Sequence, residues 1–232
     1  MDEACASLLL ALQSLETRLT ETFPSDQEAV FVTRALAAHV SERVSALLGV
    51  LNANTPIDNA KRRLAVEAAI HKVAPEIKDA LALYDLLAAA AVSAPQEIDL
   101  VDALEQRFGA PNPSAETIKI AIDVPRPAPI VADRHVLGVL IEIGASLSAK
   151  ASAAPVRLAQ RGLEGGTTTL RIAPVPRGGV VPKMILAVPA HGDVPFAREA
   201  ARVAARLSGL HVEIDASTGA MSITSETSVR PC

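Results

Sequence analysis

The sequence predicts an α+β protein: a helical first part, then a sandwich in which helices cover one face of a mixed sheet. Three observations predict it. Up to about residue 93 apolar residues recur at spacings of three and four, the signature of helices buried along one face. After Ser93-Ala94-Pro95, prolines and glycines become frequent and the apolar pattern switches to period two. Two further helical stretches then interrupt the alternating segments.

Taken in order, a first helix is expected over about Asp2 to Thr22, broken at Phe23-Pro24-Ser25-Asp26. Ser25 or Asp26 can cap the next helix, because a short side-chain oxygen accepts from the free amides of a first turn. That second helix runs to about Leu51, with Val32, Leu36, Val40, Val44, Leu47 and Leu51 on one face. Asn52 to Pro56 forms the turn, with Thr55 as cap and Pro56 at the first helical position, where a missing N–H costs nothing. The third helix is expected from Pro56 to Ala91, with a seam of Val66, Ile70, Val73, Ile77, Tyr84, Leu87 and Ala91. Pro75 lies inside it, so it either bends there or is two helices. Two such helices joined by a short turn make an antiparallel hairpin, and a lone hairpin leaves a seam uncovered. A dimeric four-helix bundle built by two copies covers it, so a homodimer is expected.

In the second part, Ile118, Ile120, Ile122 and Val124 alternate with Lys119, Ala121 and Asp123. Val156/Leu158, Leu170/Ile172, Met184/Leu186/Val188, Val212/Ile214 and Met221/Ile223 do the same, and each predicts a strand. Helices are expected over about Asp133 to Lys150 and Pro195 to Ser208, the second starting after Gly192-Asp193 and ending before Gly209. Domains are therefore expected at 1–93 and 97–226.

Composition excludes several classes. The 232 residues carry a net charge of −4, so no basic field draws in a nucleic acid. Aromatic residues make up 2%, so Leu, Val, Ile and Ala must build the core. No apolar run approaches the roughly 20 residues that span a bilayer, and no membrane partner is expected. Leu8-Leu9-Leu10 lies among acidic residues without a basic leader, a poor secretory signal. Cys5 and Cys232 are the only two cysteines, which argues against a disulfide framework or thiolate metal site and fits a cytoplasmic location.

Several strings resemble the core of sensor histidine kinases, in which a dimerising helical hairpin carries the phosphoacceptor histidine and an ATP-binding domain follows. Glu97 to Leu104 resembles the segment that opens that domain, and Ile118 to Val124 its first long strand. Ile130 to Leu137 resembles the entry to the helix that bears the family's asparagine box. Phe196 to Gly209, Leu210 to Ile214 and Ala220 to Ile223 resemble its closing helix and final hairpin. The resemblance covers about residues 26–226 in pattern and order, and implies a histidine-kinase ATPase-like α/β sandwich.

The departures from that family carry information. Its paired asparagines, which hold magnesium and phosphates, fall here at Ile143 and Leu147, and aliphatic side chains offer no oxygen ligands. Glu142 is one residue off, about 100° around a helix. The aspartate-glycine box is also missing: Pro176-Arg177-Gly178-Gly179 and Pro189 to Asp193 put no acid at the strand end. Gly178-Gly179 and Gly165-Gly166 read as hairpin turns. No ATP cofactor is expected, and an ATP-dependent kinase is not either.

His39, four turns before the hairpin turn, sits near where the resemblance places the phosphoacceptor. Such a residue needs a firm backbone and an open ring, and histidine offers a neutral nitrogen near pH 7. Glu42 and Arg43 lie three and four residues on, where Glu42 could orient the ring and Arg43 pair with phosphoryl oxygens. The family's acid directly after the histidine is Val40 here, and its proline five on is Val44. His71 stands one turn before Pro75, one residue short of the family's histidine-to-proline spacing and on the wrong helix, and reads as a structural or surface histidine; His135, His191 and His211 lack metal-ligand spacing, no serine sits in a nucleophile elbow, and Arg198, Arg202 and Arg206 form a solvated stripe.

The chain thus resembles the dimeric, kinase-like histidine phosphotransferases of bacterial phosphorelays. That implies phosphoryl transfer between response-regulator receiver domains through His39, with the receiver supplying magnesium. The alternative is a pseudokinase-like module that docks a receiver or a kinase without phosphate chemistry.

Overall fold

A computed structural model describes residues 26–52, 59–109, 117–163, 167–176, 184–191 and 196–226, together with Thr17 and Gly179. Apart from Thr17, the expected first helix lies outside the described residues, as do the Thr55-Pro56 turn, Gly165-Gly166 and Gly178. By compactness the chain divides into two units, one of residues 1–88 with 192–200, the other of 89–191 with 201–232.

In the first unit, helix α1 (Gln27–Asn52) opens on Asp26, whose carboxylate accepts from the Ala29 amide at 3.1 Å. Its Val32, Leu36, Val40 and Val44 are buried as the spacing predicts. Helix α2 (Asn59–Ala91) runs through Pro75 as one assigned helix, so it is not split in two there. The Tyr84 hydroxyl donates to the Thr33 carbonyl at 2.9 Å, and His39 lies near Glu76. Both pairs are spaced about a midpoint near residue 58, so the helices run antiparallel. The expected α2 seam mixes two faces. Val73, Tyr84 and Leu87 are buried together with Ala80, Leu83, Leu86 and Ala90, whereas Ile70 is 44% exposed and Val66 and Ile77 are only half-buried.

The second unit holds a six-stranded mixed sheet of order β6-β2-β4-β5-β8-β7. Its strands are β2 (Thr117–Asp123), β4 (Val156–Leu163), β5 (Thr167–Pro174), β6 (Met184–Pro189), β7 (Leu210–Ile214) and β8 (Met221–Glu226). Among the described residues, β2 and β4 pair in parallel and the other pairings are antiparallel. Alternation sorts the faces: Leu170, Ile172, Met221, Ile223, Leu210 and Val212 are buried, whereas Arg171, His211 and Glu213 are exposed. Helix α4 (Arg134–Ala151) packs on β2, β4, β5 and β6.

Three elements come in addition to the expected ones. Strands β1 (Gln96–Asp99) and β3 (Pro129–Ala132) form a small antiparallel sheet, and helix α3 (Leu100–Phe108) follows β1 directly. Asp99 makes that junction. Its Oδ1 accepts from the Val101 and Asp102 amides at 2.9 and 3.2 Å, and its Oδ2 from the Ala128 amide at 2.9 Å. These amides hold the carboxyl below its ordinary pKa, the Ala128 bond contributing most. Helix α5 (Ala197–Leu207) buries Ala200, Ala201, Val203, Ala204 and Ala205, exposes Arg202 and Arg206, and ends at Gly209, whose φ is +75°. Among the described residues no helix is long and apolar enough to cross a membrane.

Candidate functional site

Helical spacing puts His39 and Arg43 one turn apart on α1, and both meet α2 at Glu76. His39 is 8% exposed, with Nε2 at 3.8 Å from Glu76 Oε2. Arg43 Nε lies 2.7 Å from the same oxygen, an ion pair whose N–H is not aligned on it. All three atoms are buried without an aligned hydrogen bond. Leu36 and Val40, fully buried, fix the backbone beside the ring.

The expected constellation is therefore partly regrouped. The ring at 39 is closed rather than open, Glu42 faces solvent, and the acid beside the imidazole is Glu76. Arg43 places its cation on that acid. Glu76 escaped the sequence because it is far along the chain. Its one signal is its place across the hairpin, level with His39 once the turn is located.

A second polar cluster lies in the other unit. On α4, capped by Asp133 accepting from the His135 and Val136 amides at 2.9 and 3.0 Å, Ile143 is 1% exposed. The sheet presses close behind it, where a Cβ on Gly144 would meet Ile172 Cδ1 at 2.8 Å. Glu142 and Ser146, one turn apart on α4, carry the polar contacts beside it. Glu142 Oε1 accepts from Arg107 Nε and Nη2, each at 2.8 Å, and Oε2 lies 3.2 Å from His191 Nε2. Ser146 Oγ accepts from the His191 amide and donates to the Glu142 carbonyl, both at 2.9 Å.

Arg107 Nη1 also sits 3.3 Å from His135 Nδ1, which accepts from it. Gly138 leaves the room for Arg107 to cross α4, since a Cβ there would sit 2.5 Å from Arg107 Cδ. Glu142, with a side chain 7% exposed, ties α3, α4 and the end of β6 together. A carboxylate buried this far is tolerable because two donors compensate it. Among the described residues no three of His, Cys, Asp and Glu converge into a metal-binding group.

No family model and no curated protein matches the sequence. Among solved structures, the chain is similar to the Acinetobacter baumannii histidine kinase AdeS, at 12% identity and a TM-score of 0.44, over 84% of this chain and 96% of that one. It is also similar to full-length ShkA in complex with AMPPNP, at 19% identity and a TM-score of 0.45, over 86% of this chain and 47% of that one.

Proposed function

We propose that the chain is a nucleotide-independent docking module of two-component signalling, which binds a receiver domain through its helical hairpin without passing phosphate. The observation that supports this most is the state of His39. Its Nε2 is sealed from solvent and faces the Glu76 carboxylate at 3.8 Å. In-line attack on a phosphoaspartate needs an imidazole nitrogen with a clear approach of about 3 Å. In the second unit, the polar atoms of Glu142 and Ser146 are engaged by Arg107 and His191. The rest of the proposal follows from the resemblance in order of parts between residues 26 and 226.

One observation favours the second reading, phosphoryl transfer through His39. His39 Nε2, Arg43 Nε and Glu76 Oε2 form a buried cluster without aligned hydrogen bonds, which a purely structural seam avoids with Leu or Val. If the hairpin parts, His39 forms an N–P bond as the aspartyl O–P bond of a receiver breaks, and the freed carboxylate stays with the receiver. Arg43 then meets the phosphoryl oxygens, and magnesium comes from the receiver.

Incubation with labelled phospho-receivers separates the two. Docking predicts a complex with no label on the chain, unchanged by His39→Ala. Label that appears on the wild type and vanishes in His39→Ala moves the function to transfer. No complex and no label with any receiver refutes both.

A further inference from the structure

The sheet face turned away from α4 carries a basic strip. Ile172 meets α4 at Gly144, so alternation puts Arg171 and Ala173 of β5 on the opposite face, beside Arg157, Ala159 and Arg161 of β4. In register Arg157 stands opposite Ala173, Ala159 opposite Arg171, and Arg161 opposite Thr169. Arg171 therefore has an arginine on each diagonal, about 7–8 Å away, around a floor made by Ala159. Like charges so placed repel, and the fold gains nothing from them. Arg157 is relieved by an ion pair with Asp123 of β2. Arg161 and Arg171 are exposed, and neither has an ion-pair partner among the described residues. Just beyond Arg157, where the chain enters β4, an apolar hollow of about 360 Å³ opens, with Lys119, Ala121, Pro155, Val156 and Ile185 among its walls. Ile185 is 52% exposed there.

We infer that this strip docks an extended acidic segment of a partner protein, with acids at alternate positions and an apolar residue further along. Along the strand axis Arg161 and Arg171 stand one step of two residues apart, since Arg171 is level with Ala159. Carboxylates at i and i+2 of an extended chain advance by the same ~6.6 Å, so each meets one guanidinium, whose planar fork suits a carboxylate. Asp123 on Arg157 is that pairing already made on the same surface. Four residues past the level of Ala159 the segment reaches Pro155 and the hollow, which takes an apolar side chain at i+6. A nucleic acid fits less well: the chain carries a net charge of −4, and the described residues of this face include no Phe, Tyr or Trp for bases to stack on. The inference lies within the second unit and needs no receiver on the hairpin, so failure of one leaves the other standing.

The test is a titration of the isotope-labelled full chain, followed by amide shifts, at low salt. The probe is a synthetic peptide with glutamates at i and i+2, leucine at i+6 and serine or threonine elsewhere. Saturable shifts confined to β4, β5 and the hollow are expected. Arg161→Ser and Arg171→Ser should each weaken binding roughly two- to fivefold, and serine in place of the peptide's leucine should weaken it too. Arg202→Ser, at an exposed arginine of α5, should change nothing. Arg171→Glu should lose this peptide and recover one in which the facing glutamate is lysine, which separates pairing from damage to the fold. Absence of shifts at millimolar peptide overturns the inference. So does equal binding by every arginine variant, or tighter capture of a single-stranded oligonucleotide on the same residues, which would make the face a nucleic acid surface.

Discussion

Replacing Glu142 by glutamine removes the charge that joins α3, α4 and the end of β6 while keeping the side-chain volume. The carboxylate takes two 2.8 Å contacts from Arg107 and one of 3.2 Å from His191, at 7% side-chain exposure. Removing one partner of a buried ion pair costs about 3–5 kcal/mol, mostly from the charge left behind. Arg107 is 26% exposed and regains some hydration, which lowers the expectation to about 2–3 kcal/mol. For a chain of this size each kcal/mol lowers Tm by ~2–4 °C, so Glu142→Gln should melt about 5–10 °C below wild type. Thermal melts followed by circular dichroism read this directly. The double change Glu142→Leu/Arg107→Leu should cost less than the two single changes summed, because it leaves no orphaned charge. A Glu142→Gln protein within about 0.5 kcal/mol of wild type would refute the idea that this carboxylate holds the three segments together.

The turn after β7 carries an acid-sensitive group. Ser217 and Thr218 hydrogen bonds, those of Ser217 foremost, lower Asp215 from its ordinary 3.8 to about 2. A depressed folded pKa means that its contribution is complete above about pH 4 and disappears as pH falls toward 2; Asp215→Asn should flatten that limb of a stability–pH curve, and an unchanged limb counts against it. Gly219 has φ +65°, and a Cβ there would lie 2.3 Å from the Leu147 carbonyl oxygen. Gly219→Ala is expected to cost at least about 1–3 kcal/mol in urea unfolding, and a neutral result would contradict the close approach of that turn to α4.

Much of the fold was legible because the two periodicities are clean where large side chains carry them. Val32, Leu36, Val40 and Val44 mark the buried face of α1, and alternation locates the strands of the main sheet. In α2 the signal blurs, because alanine suits either face. Ala80 and Ala90 are core, whereas the larger Ile70 and Ile77 look outward or half outward. The β1–α3 junction was hidden because the chain changes period at Asp99 after only four strand residues. The second cluster was not legible, because Arg107 and His191 meet Glu142 only once α3 and the end of β6 pack beside α4. Glu76 required the hairpin to be closed before it could be seen beside His39.

The most direct measurement is a calorimetric titration of receiver domains into the wild type and into His39→Ala, each with and without magnesium–ATP. Saturable receiver binding, equal in both proteins and indifferent to the nucleotide, is the expected result. Binding that demands magnesium–ATP, or that no receiver shows, would contradict a docking module that works without nucleotide.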